Sequence, residues 1–314
     1  MMRIVFMGTP DFAVPTLEAL IGAGHEVIAV VTQPDKPKGR GKSVLMTPVK
    51  EKALAHAIPV YQPVRIRKDE EFISLLADMK PDVIVVVAFG QILPKAVLNI
   101  PRLGCVNVHA SLLPRYRGAA PIQWCVINGE KETGITTMMM DVGLDTGDML
   151  EQLVIPIERK ETGGSLHDKL SAAGGRLIVS TLQKLENHTI ERTPQAEENT
   201  CYAGMLEKSL GDIDWTADAV SIERLIRGLN PWPSAYTMWN NKTLKLWDAD
   251  VSDKDYEGIP GEVVSVTKDS ILVKTGNGTL SLKELQPEGK KRMDTGAFLR
   301  GYPVAEGTVF ERRS

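Results

Sequence analysis

At 314 residues, with 43% hydrophobic and 25% charged residues, the chain has the composition of an ordinary folded protein and length for about two domains. A formal net charge of −3 excludes a global attraction to polyanions, so any nucleic-acid contact must come from local basic patches. Cys105, Cys125 and Cys201 lack CxxC or metal-ligand spacing and read as reduced thiols, and no apolar run reaches the length of a signal core or membrane span; the expected compartment is the cytoplasm.

Arg3 to Met7 is a short apolar run ending in Gly8-Thr9-Pro10, after which Asp11 stands where it would cap a helix carrying Phe12, Leu17, Leu20 and Ile21. Glu26 to Thr32 is β-branched and apolar, so the chain opens as β-α-β, the start of a doubly wound sheet. The first turn is Gly-Thr-Pro-Asp rather than GxGxxG. A dinucleotide fingerprint is absent, and an acid at the helix start repels a pyrophosphate. The loop Gln33 to Lys42 carries Lys36, Lys38, Arg40 and Lys42 against the single Asp35. It reads equally as a solvated connection or as a phosphate-contacting loop.

Thr47-Pro48 has the form of an N-cap followed by a first-turn proline. A short strand at Val60-Tyr61 and an amphipathic helix over 69–79 follow. Residues 82–88, DVIVVVA, form the continuous β-branched run of a central parallel strand covered on both faces. Pro94-Lys95 opens another helix, 105–110 is a strand, and a helix runs from Ala119 or Pro121 to Asn128. Residues 134–140 and 149–155 read as strands able to pair antiparallel at the sheet edge. A long helix over 165–186 presents Leu166, Leu170, Leu177, Leu182 and Leu185.

Residues 187–200 are polar and unpatterned, as expected of a linker. A helix over 217–229 precedes short β runs with turn signals, the spacing of a small barrel. The expected organisation is an α/β domain over 1–187, a linker over 188–206 and a β-rich domain over 207–314.

One stretch fits neither a plain strand nor a plain loop. In Gly104 to Pro121, GCVNVHASLLPRYRGAAP, Val106, Val108 and Ala110 alternate with Asn107, His109 and Ser111. Side chains two apart on a strand share a face, roughly 7 Å apart. The polar set therefore lines one side of a strand that exits into a turn, where open α/β sheets place their active sites. A second polar stretch, DVGLDTGD, holds Asp141, Asp145 and Asp148 between glycines, without the twelve-position spacing and closing Glu of a calcium loop. An amide, an imidazole and a carboxylate suit transfer of a carbonyl unit to an amine, with oxyanion stabilisation by the first two and proton handling by the third. No GxSxG is present, and no Ser or Cys nucleophile is required.

Asn107-x-His109-x-Ser111-Leu112-Leu113-Pro114, Arg117-Gly118-Ala119-Ala120-Pro121 and Asp141-x-Gly143-x-Asp145-x-Gly147 resemble the folate-dependent formyltransferases. Gly8-Thr9-Pro10-Asp11-Phe12, the basic 36–42 loop and Asn230-Pro231-Trp232-Pro233 extend the resemblance over nearly the whole chain. It implies a doubly wound, mostly parallel N-terminal sheet joined to a smaller OB-like barrel. It also implies, as the activity, transfer of the formyl group of 10-formyltetrahydrofolate to the amino group of methionine on initiator tRNA. Asn107, His109 and Asp145 would be catalytic. Ser111, Leu112, Leu113 and Pro114 would line the folate pocket with Phe89, Gly90, Gln91, Ile92 and Asp141. Lys36, Lys38, Arg40 and Lys42 would contact tRNA, Arg40 foremost, assisted by the C-terminal domain. The length is that of a comfortable monomer, and no metal is expected. Formyltransferases acting on amino sugars resemble this chain in both domains as well.

Overall fold

The computed structural model describes residues 1–38 and 43–313. The chain forms two compact units that interleave in sequence. The first comprises Met1–Pro121, Glu132–Pro156 and His167–Ala203; the second comprises Ile122–Lys131, Ile157–Leu166 and Gly204–Ser314.

The first unit is built on a seven-stranded sheet. Its strands are β1 (Arg3–Gly8), β2 (Glu26–Val31), β3 (Val60–Tyr61), β4 (Val83–Val87), β5 (Cys105–His109), β6 (Glu132–Met139) and β7 (Met149–Pro156), in the order β7-β6-β5-β4-β1-β2-β3. Five strands, β3 to β5 through β2, β1 and β4, run parallel. β6 is antiparallel to β5, and β7 to β6, so the expected hairpin does form the edge. The DVIVVVA run becomes β4, all five of its residues buried.

Helices α1 (Val14–Gly22), α2 (Pro48–Ala55), α3 (Glu70–Asp78) and α4 (Lys95–Leu98) follow the parallel strands. Val5, Met7, Ile84 and Val86 point to one face, where Phe72 and Leu76 of α3 and Val97 of α4 cover them. On the other face α6 (Gly163–Glu186) lies close against the sheet. A Cβ on Gly174 would stand 3.0 Å from Val108 Cγ1, and one on Gly175 would stand 2.8 Å from Pro15 O.

Caps decide where these helices begin. The Thr47 hydroxyl accepts from Lys50 N, as Thr47-Pro48 predicts, and Asp69 accepts from Phe72 N to start α3. Asp11 does not cap α1. Its carboxylate accepts from the adjacent Phe12 N at 3.0 Å, a 3₁₀ turn covers Asp11–Ala13, and α1 starts at Val14 without a side-chain cap. The proline at its start lacks the N–H that a cap would satisfy.

Cys105 on β5 is buried, and that burial pushes its thiol up from 9.0 to about 12. Burial opposes the thiolate, so its neutrality favours the fold below pH 9.0, and this contribution is lost as pH rises from there toward 12. We expect iodoacetamide at pH 9 to leave Cys105 unmodified in native protein and to label it in denaturant, read by peptide mass spectrometry. Equal labelling in both states would contradict this burial.

The second unit contains α7 (Ala219–Gly228) and an antiparallel sheet of β8 (Ala235–Trp239), β9 (Lys242–Val251), β10 (Val263–Val266), β11 (Ile271–Lys274), β12 (Thr279–Pro287) and β13 (Met293–Asp294). The order is β8-β9-β12-β11-β10, with β13 beside β12. The chain past β13 closes the gap between the two end strands. Thr308 O accepts from Val263 N at 2.7 Å, Phe310 N donates to Gly261 O at 2.8 Å, and Glu311 exchanges two bonds with Met238 on β8. The sheet thus wraps around a core of Trp215, Ile226, Leu246, Val273, Leu282 and Phe298. Its last helix, α8 (Thr295–Gly301), packs Phe298 between Trp239 and Tyr302. Helix α5 (Pro121–Ile127), nearly all in this unit, and residues 157–166 meet α7. Gly228 lies against Ile127, and Arg227 Nη1 donates to Glu161 O at 2.8 Å. No helix among the described residues is long and apolar enough to cross a membrane.

Candidate active site

β1 stands at the topological switch of the first sheet, with β2 and β3 on one side and β4 and β5 on the other. The carboxyl ends of such strands leave a crevice. Three loops meet there: Phe89 to Leu93 after β4, Ala110 to Ala120 after β5, and Met140 to Asp148 between β6 and β7.

Strand alternation places Asn107 and His109 on one face of β5, and Asp145 comes to both from the third loop. Asn107 Nδ2 donates to Asp145 Oδ1 at 3.4 Å, and His109 Nδ1 stands 3.8 Å from Asp145 Oδ2. Gly118 N donates to the same Oδ2 at 2.9 Å. The other imidazole nitrogen, His109 Nε2, lies 2.9 Å from Tyr116 O. Both ring nitrogens therefore face oxygens, one at hydrogen-bond distance and one beyond it. His109 is 6% exposed, so this pairing sits largely out of water.

Backbone conformation holds these loops in unusual shapes. Ala88, Tyr116 and Asp145 have φ of 46°, 60° and 54°. Left-handed non-glycine residues cost of order 1–3 kcal/mol each and gather at binding and catalytic loops.

The remaining expected site residues divide into exposed wall and buried scaffold. Ser111 is fully buried. Its hydroxyl donates to Arg115 O at 2.7 Å rather than facing the imidazole. Leu112 and Pro114 are half-buried, and Leu113 is buried. Thr136 Oγ1 donates to Ser111 O and accepts from Leu113 N, while Gln152 Nε2 donates to Leu113 O, which fixes this wall to β6 and β7.

In the first loop Phe89 is buried, whereas Gly90 and Ile92 are exposed. Thr9 Oγ1 and Gln33 Nε2 both donate to Phe89 O. The Gln91 side chain accepts from Ile66 N and donates to Pro63 O, so it ties the loop down. The Asp141 carboxylate accepts from Gly143 N and Thr146 Oγ1 and so shapes its own loop.

The basic segment is partly a hairpin. Lys36–Lys38 pairs with Ser43–Leu45, and Lys36 is exposed. Arg40 and Lys42 lie outside the described residues. The base of the hairpin is anchored by Asp35, which accepts from Lys50 Nζ at 2.5 Å and from Gln62 Nε2 at 2.8 Å. These bonds, the Lys50 bond foremost, hold the Asp35 carboxyl below its ordinary value. Beside it lies a cavity of about 450 Å³ lined by Thr9, Gln33, Pro34, Lys36, Leu45 and Met46, among others.

Two site features had no signal in local sequence. Tyr202-Ala203 pairs in parallel with Arg117-Gly118. Gln195, in the stretch expected as a linker, donates to the backbone oxygens of both Asp145 and Gly147 at 2.8 Å.

An open parallel sheet with an amide, an imidazole and a carboxylate at its switch point, followed by an antiparallel β-rich unit, is the architecture of a two-domain formyl transferase. The formyl transferase family model matches residues 2–182, and the model of the formyl transferase C-terminal domain matches residues 205–303. The chain is 60% identical over 311 residues to the methionyl-tRNA formyltransferase of Agathobacter rectalis, covering 98% of this chain and 99% of that protein. It is 51% identical over 308 residues to that of Clostridioides difficile, again with 98% and 99% covered. Among solved structures, the sugar 3N-formyl transferase WlaRD superposes with a TM-score of 0.67 at 19% identity, over 93% of this chain and 99% of that one. The chain belongs to the formyl transferase family and, within it, to the methionyl-tRNA formyltransferases.

Proposed function

We propose that this enzyme transfers the formyl group of 10-formyltetrahydrofolate directly to the amino group of methionine on initiator methionyl-tRNA, for translation initiation. The observation that carries the reading is the approach of Asn107 and His109, from one face of β5, to the single carboxylate of Asp145.

The amine nitrogen attacks the formyl carbon, a carbon–nitrogen bond forms, and the bond from that carbon to N10 of the folate breaks. The amine loses a proton and N10 gains one. Negative charge gathers on the formyl oxygen during attack. Asn107 keeps a second amide hydrogen besides the one given to Asp145, and His109 Nδ1 lies beyond hydrogen-bond distance of the carboxylate. Those two donors serve the oxyanion while Tyr116 O steadies the ring through Nε2. Asp145 favours the imidazolium electrostatically and helps pass the amine proton on. No covalent enzyme intermediate forms.

The folate lies against Ser111, Leu112, Leu113 and Pro114, the backbone of residues 89–92 and the Asp141 loop. Lys36, Lys38, Arg40 and Lys42 reach tRNA phosphates, with the C-terminal unit assisting. The enzyme works in the cytoplasm as a monomer, without a metal. Incubating pure protein with 10-formyltetrahydrofolate and charged initiator tRNA should yield acid-stable formylmethionine. Absence of product, or acceptance of a nucleotide-sugar amine instead, would overturn the assignment.

A further inference from the structure

The loop that presents Asp145 has little apolar anchorage: Val142 and Leu144 are 72% and 57% exposed. Its position is therefore set largely by polar contacts, and two that hold its backbone come from Gln195. Gln195 Nε2 donates to Asp145 O and to Gly147 O, both at 2.8 Å. Gln195 Oε1 accepts from Arg117 Nε at 2.9 Å, which fixes the orientation of the amide.

Arg117 is itself 1% exposed. Its Nη1 donates to Glu197, and its backbone N donates to Cys201 O. The next residue, Gly118, gives its N–H to the Asp145 carboxylate, and a Cβ there would meet Ala203 O at 2.8 Å. One segment thus grips the backbone of Asp145 directly and holds in place the donor to its side chain.

We propose that Gln195 is a positioning residue which, braced by Arg117, locks Asp145 in its left-handed conformation toward Asn107 and His109. Its bonds end on loop backbone and on Arg117, so it acts through Asp145 rather than on the reacting atoms. The kinetic consequence rests on the formyl-transfer reading; the clamp itself rests on geometry alone.

Two variants of the full chain test it. Gln195→Met removes all three bonds, and Gln195→Glu removes both donations while keeping the acceptor for Arg117. Both should lower kcat by about 10- to 100-fold, the scale of a small misplacement in a reacting group. KM for either substrate should stay near that of the unmodified enzyme. Both should also speed backbone amide exchange within residues 141–148, with little change elsewhere in the first unit. Unchanged exchange in that loop, unchanged kcat, or a loss confined to KM would overturn the proposal. If the unmodified enzyme forms no formylated product, the functional reading falls, and loop exchange alone decides the clamp.

Discussion

Replacing His109 by alanine is expected to lower kcat for formyl transfer by about 10²–10³, the usual cost of removing one oxyanion donor from a water-poor site. The ring is 6% exposed and held at Nε2 by Tyr116 O at 2.9 Å, which leaves Nδ1 facing the crevice 3.8 Å from the Asp145 carboxylate. KM for either substrate should change far less, because in the proposed mechanism the imidazole engages charge that develops only during attack. Steady-state kinetics on both substrates, with circular dichroism to confirm the fold, measure this. A variant retaining a third or more of the activity would remove His109 from the chemistry. Asn107→Ala should lie in the same range, since it also withdraws one donor.

The second large effect is expected from Gly147→Ala, a change that adds a single methyl group. A Cβ at this position would stand 1.8 Å from Met139 O, a backbone atom on the strand beside β5. No rotamer change relieves a backbone clash, so the 141–148 loop must move, and Asp145 moves with it. Displacement of a reacting group by about 1 Å can cost around 10² in rate, so kcat should fall at least that far. Overpacking of this kind also typically destabilises by about 1–3 kcal/mol. Thermal melts should show the loss as a lower midpoint than that of the unmodified protein. Near-normal kcat in a stably folded Gly147→Ala protein would mean that the loop tolerates displacement and that its geometry is not critical.

The sequence made some of this architecture readable for definite physical reasons. A strand buried on both faces has no polar positions to offer, and DVIVVVA shows that in its residue types alone. Alternation in VNVH marks one face polar and the other apolar, which suffices to put Asn107 and His109 side by side. Thr47-Pro48 carries its own capping chemistry. Asp11 misled because its carboxylate is satisfied by the very next amide, and a 3₁₀ turn absorbs the residues that a helix would have used.

The second unit was legible as repeated short strands, but β13 and α8 were not. Met293–Asp294 is too short to show a period, and α8 spends only seven residues, two of them glycine. Gln195 illustrates the deepest limit. It lies 50 residues from Asp145 in the chain, in a polar stretch with no periodicity, and only the fold brings the two together.

Pairing of Tyr202-Ala203 with Arg117-Gly118 has a consequence for how the enzyme becomes competent on the ribosome. A nascent chain released as far as Glu186 already contains every group assigned to the reaction, together with the whole seven-stranded sheet. It still lacks the residues that brace the Asp145 loop, which emerge only afterwards. A fragment ended at the polar stretch after α6, where the primary structure invites a cut, would therefore lack Gln195 and its two bonds to the backbone of the Asp145 loop. Gene truncations or split-protein designs need to retain the chain through Ala203.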